Sequence, residues 1–164
     1  MEEKDLIKLT AKELTDIGVC PTCLNRKYNG IIFGDDSKLK LYEDKDIECL
    51  FVSNPRSVGH MLISTQTHYH DMSEAPDNLN YKMIVFAKQF MKILKDVYKC
   101  ERVYLCTMSD GPMNHYHLQL IPRYIDEERG SKNFVKPRKQ YIFDEKTFKI
   151  IKQKIKNFAD SINI

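Results

Sequence analysis

The run Asn114-His115-Tyr116-His117-Leu118-Gln119-Leu120-Ile121-Pro122-Arg123 alternates polar and apolar side chains. A β-strand sends successive side chains to opposite faces. The run therefore predicts a strand with His115, His117 and Gln119 on one face and Tyr116, Leu118 and Leu120 turned into a core. Two imidazoles a strand repeat apart on a stiff element suit a site that must hold a nucleophile still. The same alternation also describes a half-exposed strand whose polar face merely carries two histidines.

A second chemically suggestive spacing is Cys20-Pro21-Thr22-Cys23. Such a knuckle brings two thiolates onto one metal ion; a redox pair and a chance spacing are the rival readings. A redox pair usually opens a helix after a strand, and Leu24-Asn25-Arg26-Lys27 is a poor helix start. Cys49, Cys100 and Cys106 lie in apolar or mixed segments and read as buried thiols. Disulfides are not expected of a chain kept in a reducing compartment.

These residues need a scaffold. Residues 10–17 predict a short helix, with Thr10 and Glu13 as a capping box and Gly18 as its stop. Ile31–Phe33, Leu39–Tyr42, Ile47–Ser53, Gly59–Ser64 and Arg102–Met108 read as strands. Gly34-Asp35-Asp36-Ser37, Asn54-Pro55-Arg56-Ser57 and Ser109-Asp110-Gly111-Pro112 read as turns. Connections of hairpin length predict an antiparallel sheet in which the 102–108 strand partners the histidine strand.

Between them, residues 79–98 carry Met83, Phe86, Phe90, Ile93, Leu94 and Val97 at helical spacing, with Lys82, Lys88, Lys92 and Lys95 assigned to the outer face. Residues 129–139 are polar and basic, as a loop over an anionic ligand or a solvated segment would be. Asp144 to Ser161 predicts an amphipathic helix with Phe148, Ile151, Ile155 and Phe158 on one face, docked on the domain rather than on a membrane. The expected class is α+β: about five antiparallel strands, one long helix and an added C-terminal helix.

Length and composition set the outer bounds. The 164 residues, 42% hydrophobic and 30% charged, predict one domain with a sizeable core. No apolar run approaches a membrane span. The start, Met1-Glu2-Glu3-Lys4-Asp5, lacks the basic-then-apolar order of a secretory signal. A cytoplasmic setting is the expectation. A net charge of +3 does not by itself argue for a nucleic-acid partner. No repeat, low-complexity segment or second-domain linker is visible.

Gly59-His60-Met61-Leu62-Ile63, Thr67-His68, Ser109-Asp110-Gly111 and His115-Tyr116-His117-Leu118-Gln119-Leu120-Ile121-Pro122-Arg123 together resemble the histidine-triad (HIT) superfamily. The resemblance covers about residues 20–125, leaving 126–164 as a basic loop and the C-terminal helix. It implies an enzyme that hydrolyses or transfers nucleotides at the α-phosphate through a covalent nucleotidyl-histidine. It makes His117 the nucleophile and Gln119 a hydrogen-bond donor to the reacting phosphate. It implies a nucleotide or dinucleotide substrate and a homodimer.

The third position is Gln119 where the family's name-giving motif has histidine. This form resembles the galactose-1-phosphate uridylyltransferase and dinucleoside-polyphosphate phosphorylase branches, whereas the length is closer to small bacterial HIT proteins regarded as diadenosine-tetraphosphate hydrolases. Transfer to phosphate therefore stands beside hydrolysis, and a non-catalytic nucleotide-binding protein is a third reading. Val52 occupies the place of an acidic ribose contact, and the loop before the motif is short. Substrate contacts are expected from Asn54, Ser109, Asn114, the backbone near Gly111, and Arg123, with Lys132, Lys136, Arg138 and Lys139 as further phosphate contacts.

In zinc-containing relatives a Cys-x-x-Cys pair joins two histidines. The resemblance accordingly implies a structural Zn²⁺ on Cys20, Cys23, His68 and His115, with His70 the rival of His68 and His60 a packed residue.

Overall fold

The computed structural model describes residues 3–109 and 111–162. Its elements in chain order are α1 (Glu3–Leu6), α2 (Ala11–Asp16), α3 (Pro21–Lys27), β1 (Lys40–Glu43), β2 (Ile47–Phe51), β3 (Met61–Thr65), α4 (Asp77–Tyr98), β4 (Arg102–Cys106), β5 (His117–Arg123) and α5 (Glu145–Ser161). The strands form one antiparallel sheet in the order β1-β2-β3-β5-β4. This is the expected α+β arrangement, including the β4–β5 hairpin.

Period-two patterning decides which face of the sheet is covered. Cys49 and Phe51 of β2, Met61 and Ile63 of β3, and Leu118 and Leu120 of β5 pack into one core with Met83, Phe86, Phe90, Ile93 and Leu94 of α4 and Phe148, Ile151 and Ile155 of α5. Each large side chain buried here contributes about 1.5–3 kcal/mol. Asp144 caps α5 by accepting from the Lys146 and Thr147 amides. The alternate residues Glu48, Leu50, Leu62, Ser64, His117 and Gln119 are left on the other face.

Three local expectations are corrected. Ile31–Phe33 is a turn, with Ile31 and Phe33 exposed. The Asn25 side-chain carbonyl accepts from the Ile32 and Phe33 amides, which removes the donors a sheet ladder would need. Residues 24–27 do belong to a helix. Its start lies upstream, where Pro21 takes the first turn and the Cys20 sulfur accepts from the Cys23 amide. Lys82 is not on the outer face of α4. It follows the same four-residue repeat as Phe86 and Phe90, is buried, and ends 2.8 Å from Asp44 and 2.7 Å from Asp46 in the β1–β2 turn.

No described helix is long and apolar enough to cross a membrane. Replacing Lys82 by Ala removes the buried cation that two part-exposed carboxylates share. It should lower unfolding stability by about 1–3 kcal/mol in a urea titration, while Lys88→Ala leaves the midpoint nearly unchanged; equal effects would contradict the buried ion pair.

Candidate active site

Strand register brings the open-face residues into rows. Glu48 of β2 faces Ser64 of β3, which faces His117 of β5; Leu50, Leu62 and Gln119 form the next row. Above them α3 and the 29–40 segment wall a cleft of about 380 Å³, lined among others by Arg26, Lys40, Glu48, Ser64, His115 and His117. Gly59 prepares the start of β3. Its φ is +79°, and a Cβ there would lie 3.0 Å from the Tyr98 ring, so the chain passes close to α4 before His60.

His117 is held by a hydrogen-bond chain whose direction is fixed at both ends. The Arg56 backbone N–H can only donate, and it reaches His60 Nδ1 at 3.1 Å. His60 must then carry its proton on Nε2 and donate to Gln119 Oε1 at 3.1 Å. That leaves the Gln119 amide nitrogen toward His117 Nε2, at 3.4 Å. At the far end the His115 carbonyl can only accept, and it takes the His117 Nδ1–H at 2.7 Å. His117 therefore presents the Nε2 lone pair. Burial lowers the basicity of His117, and burial pushes His60 down to about 4, so the neutral rings this pattern requires are favoured.

A second cluster adjoins the first. The Cys20, Cys23, His68 and His115 ligand atoms all lie within 4.8 Å of one another. His115 Nδ1 is 3.5 Å from the Cys20 sulfur, 3.4 Å from the Cys23 sulfur and 3.4 Å from His68 Nδ1, and His68 Nδ1 is 3.6 Å from the Cys23 sulfur. Metal–sulfur bonds of about 2.3 Å and metal–nitrogen bonds of about 2.0–2.1 Å give tetrahedral edges of about 3.3–3.8 Å. The four side chains thus fit one tetrahedral ion.

The shortest contact of the His115 ring sets its tautomer: Nε2–H donates to the Thr65 carbonyl at 2.8 Å, with the Arg26 guanidinium also 3.2 Å from Nε2, and the Nδ1 lone pair faces the thiols. Hydrogen bonding from the Cys23 thiol holds Cys20 well below the usual thiol range, and the same bond pushes Cys23 up. A cation between them would take the place of the Cys23 thiol proton.

The remaining predicted residues fall in different places. His70 packs edge-on against the His68 ring, with centroids 4.9 Å apart, and pairs with Glu74 at 2.9 Å instead of joining the four ligands. The Asn114 side chain donates to the His70 carbonyl and to the Ser109 hydroxyl, bracing the loop before β5. Gly111 is exposed, with φ +83°, and Asp110 lies outside the described residues. Asn54 is exposed and offers its carbonyl to Arg138 at 3.0 Å. Arg123 is not brought to the cleft. It lies about 20 Å along the strand from His117, buried, with its guanidinium on Glu101 and the Tyr124 and Glu127 carbonyls.

Two participants have no counterpart among the expected site residues. His60, expected to be simply packed, orients Gln119; its neighbour Gly59 is the available sequence signal. Arg26 pairs with Glu48 and donates to the Thr65 and Gln66 carbonyls, at 2.7 and 3.3 Å, and to the Ser64 hydroxyl, at 3.1 Å. No spacing rule marks it.

The HIT domain family profile matches residues 34–126. A stretch of 49 residues is 43% identical to the adenylylsulfatase HINT3 of Arabidopsis thaliana, spanning 30% of this chain and only 25% of that protein. A Zn-bound histidine triad family protein from Mycobacterium smegmatis shares the fold with a TM-score of 0.64 at 15% identity, over 87% of this chain and 97% of that one. A hypothetical histidine triad nucleotide-binding protein from Sulfolobus tokodaii aligns with a TM-score of 0.55 at 20% identity, over 75% of this chain and 84% of that one.

The hydrogen-bond chain can be checked without a substrate. Long-range ¹H–¹⁵N correlation spectra of the neutral protein should show His117 protonated at Nδ1 and His60 at Nε2; the opposite tautomer at either ring would break the chain.

Proposed function

Because the chain belongs to the HIT domain family, we propose that it is a nucleotide hydrolase acting at the α-phosphate of a nucleoside polyphosphate or nucleotide conjugate, with His117 as nucleophile. The observation that carries this reading is the His117 Nδ1–H bond to the His115 carbonyl, which leaves Nε2 unprotonated with its lone pair toward the Gln119 amide. In the first step Nε2 forms a P–N bond, the bond from phosphorus to the leaving oxygen breaks, and the leaving group departs with the electron pair. The Gln119 amide N–H turns from Nε2 to a phosphate oxygen as charge develops there. In the second step water attacks phosphorus, the P–N bond returns its electrons to Nε2, a nucleoside monophosphate leaves, and the water's proton passes to solvent.

A second reading is favoured by one feature. Gln119 has no proton to give, and His60 behind it is buried and neutral. Leaving groups that depart as stable anions suit this site. An anionic acceptor such as inorganic phosphate could replace water and yield a nucleoside diphosphate, which would make the protein a nucleotidyltransferase or phosphorylase.

The four-ligand cluster is proposed as a structural Zn²⁺ site with no open position. Bound zinc would supply a crosslink between the α3 knuckle and the segments carrying His68 and His115. The residues' own part is to fix the His115 backbone, whose carbonyl holds the nucleophile's proton. A reducing, cytoplasmic setting accords with five free thiols, two of which would have to stay reduced to hold metal.

Two outcomes are expected. His117→Ala should abolish turnover and the covalent nucleotidyl-protein detectable by mass spectrometry; an unchanged rate would remove His117 as nucleophile. Protein purified without chelator should contain about one zinc per chain. Cys23→Ser should lose most of that metal and melt at a lower temperature; wild-type protein lacking metal altogether would end the zinc reading.

A further inference from the structure

The basic residues near the site divide into those already neutralised and those left over. Arg123 is paired with Glu101, Lys132 with Glu128 and Lys136 with Glu127. Arg56 and Arg138 have no carboxylate partner among the described residues; their side-chain bonds go to backbone carbonyls. Arg56 donates to the Lys136 carbonyl and Arg138 to the Asn54 carbonyl. The exchange is reciprocal because residues 136–141 lie as a strap along the 53–56 turn, with the Lys139 amide on the Pro55 carbonyl and the Tyr141 amide on the Ser53 carbonyl. This strap lies beyond residue 126, where the family match ends.

The strap holds Arg138 against the turn that carries Arg56, where the hydrogen-bond chain begins. The Arg56 amide is the chain's first donor, and the Arg56 Nε–H is buried with no hydrogen-bond partner among the described residues. The positive charges of Arg138 and Arg56 both reach His60, and that of Arg56 also reaches Cys106, the cross-strand partner of Gln119. Burial and the neighbouring Arg56 charge even lower Arg138 itself. Like charges held together this way are unfavourable alone and are relieved by an anion that both can touch. A guanidinium fork matches a phosphate's oxygens in geometry.

We propose that Arg56 and Arg138 form an oxyanion subsite at the Arg56–His60 end of the hydrogen-bond chain, which holds a phosphate other than the one attacked by His117. The proposal rests on the nucleotide-cleaving reading of the site. The phosphate is either the distal part of the leaving group or a free inorganic phosphate acting as acceptor. In both cases the arginines neutralise charge that Gln119 cannot.

The test titrates inorganic phosphate and pyrophosphate into the full-length protein by calorimetry. Wild type should bind pyrophosphate saturably, and Arg56→Gln and Arg138→Gln should each weaken it about tenfold, with Arg138→Lys between. Should a variant unfold, the wild-type arginine Nε–H signals give a reading without mutation: two of them should shift with added phosphate. Absence of saturable binding, equal binding by the double variant, or no arginine signal moving would overturn the proposal.

Kinetics on a nucleoside polyphosphate separate the sources. For a leaving-group subsite, the variants raise KM and added phosphate competes with substrate. For an acceptor subsite, phosphate accelerates turnover, a nucleoside diphosphate appears, and the variants lose that acceleration. Binding with neither kinetic effect would mark an adventitious ion only and defeat the proposal. If His117→Ala keeps its turnover, the nucleophile assignment falls, whereas the phosphate titration still reads the arginine pair directly.

Discussion

The constraint on which the site depends is one of direction. A backbone amide can only donate and a backbone carbonyl can only accept. Between the Arg56 amide and the His115 carbonyl stand three side chains that could each point either way: His60, Gln119 and His117. With both ends fixed, only one assignment satisfies every link. A lone buried histidine would choose its tautomer by small differences in solvation. Here the choice costs a break in the chain, on the order of 1 kcal/mol or more for each orphaned group. The lone pair on His117 Nε2 follows from the fold.

The anchor of this chain is itself held by a different device. The His115 ring faces two thiols and His68, its Nε2–H bonds to the Thr65 carbonyl, and its own carbonyl receives the nucleophile's proton. One residue therefore joins the metal-fit cluster to the cleft. Arg26 reinforces the joint from the side, linking α3 to Glu48, Ser64 and the Thr65 carbonyl. A half-buried Arg–Glu pair is a weak source of net stability. Its value here is placement, since it sets the α3 wall at a fixed height over the open face of the sheet.

Much of this was legible in the chain. Alternation in 114–123 gave a face that register then aligned with the strand runs read at 47–53 and 59–64, and the 83–97 stripe gave the covering helix. The readings that failed did so where a side chain competes with the backbone or where a pattern meets a neighbour not visible locally. Asn25 takes the amides that would have made Ile31–Phe33 a strand. Lys82 reads as solvated until the β1–β2 turn places Asp44 and Asp46 against it. The same limit hides His60 and Arg56. Their roles depend on Gln119 and on the 136–141 strap, residues 59 and about 80 positions away.

Glutamine at position 119 then takes on a definite meaning. A histidine there could accept from His60, donate to His117 and still carry a proton to a leaving group. A glutamine has one acceptor and one donor end and does not itself titrate, so it carries the direction of the chain while its neighbouring rings are neutral and forfeits the proton. Negative charge accumulating on departing or arriving oxygens must then be met by groups that never deprotonate. Guanidinium is the side chain with that property. Arg56 and Arg138, which have no carboxylate partner among the described residues, stand at the Arg56 end of the chain that runs through His60 to Gln119.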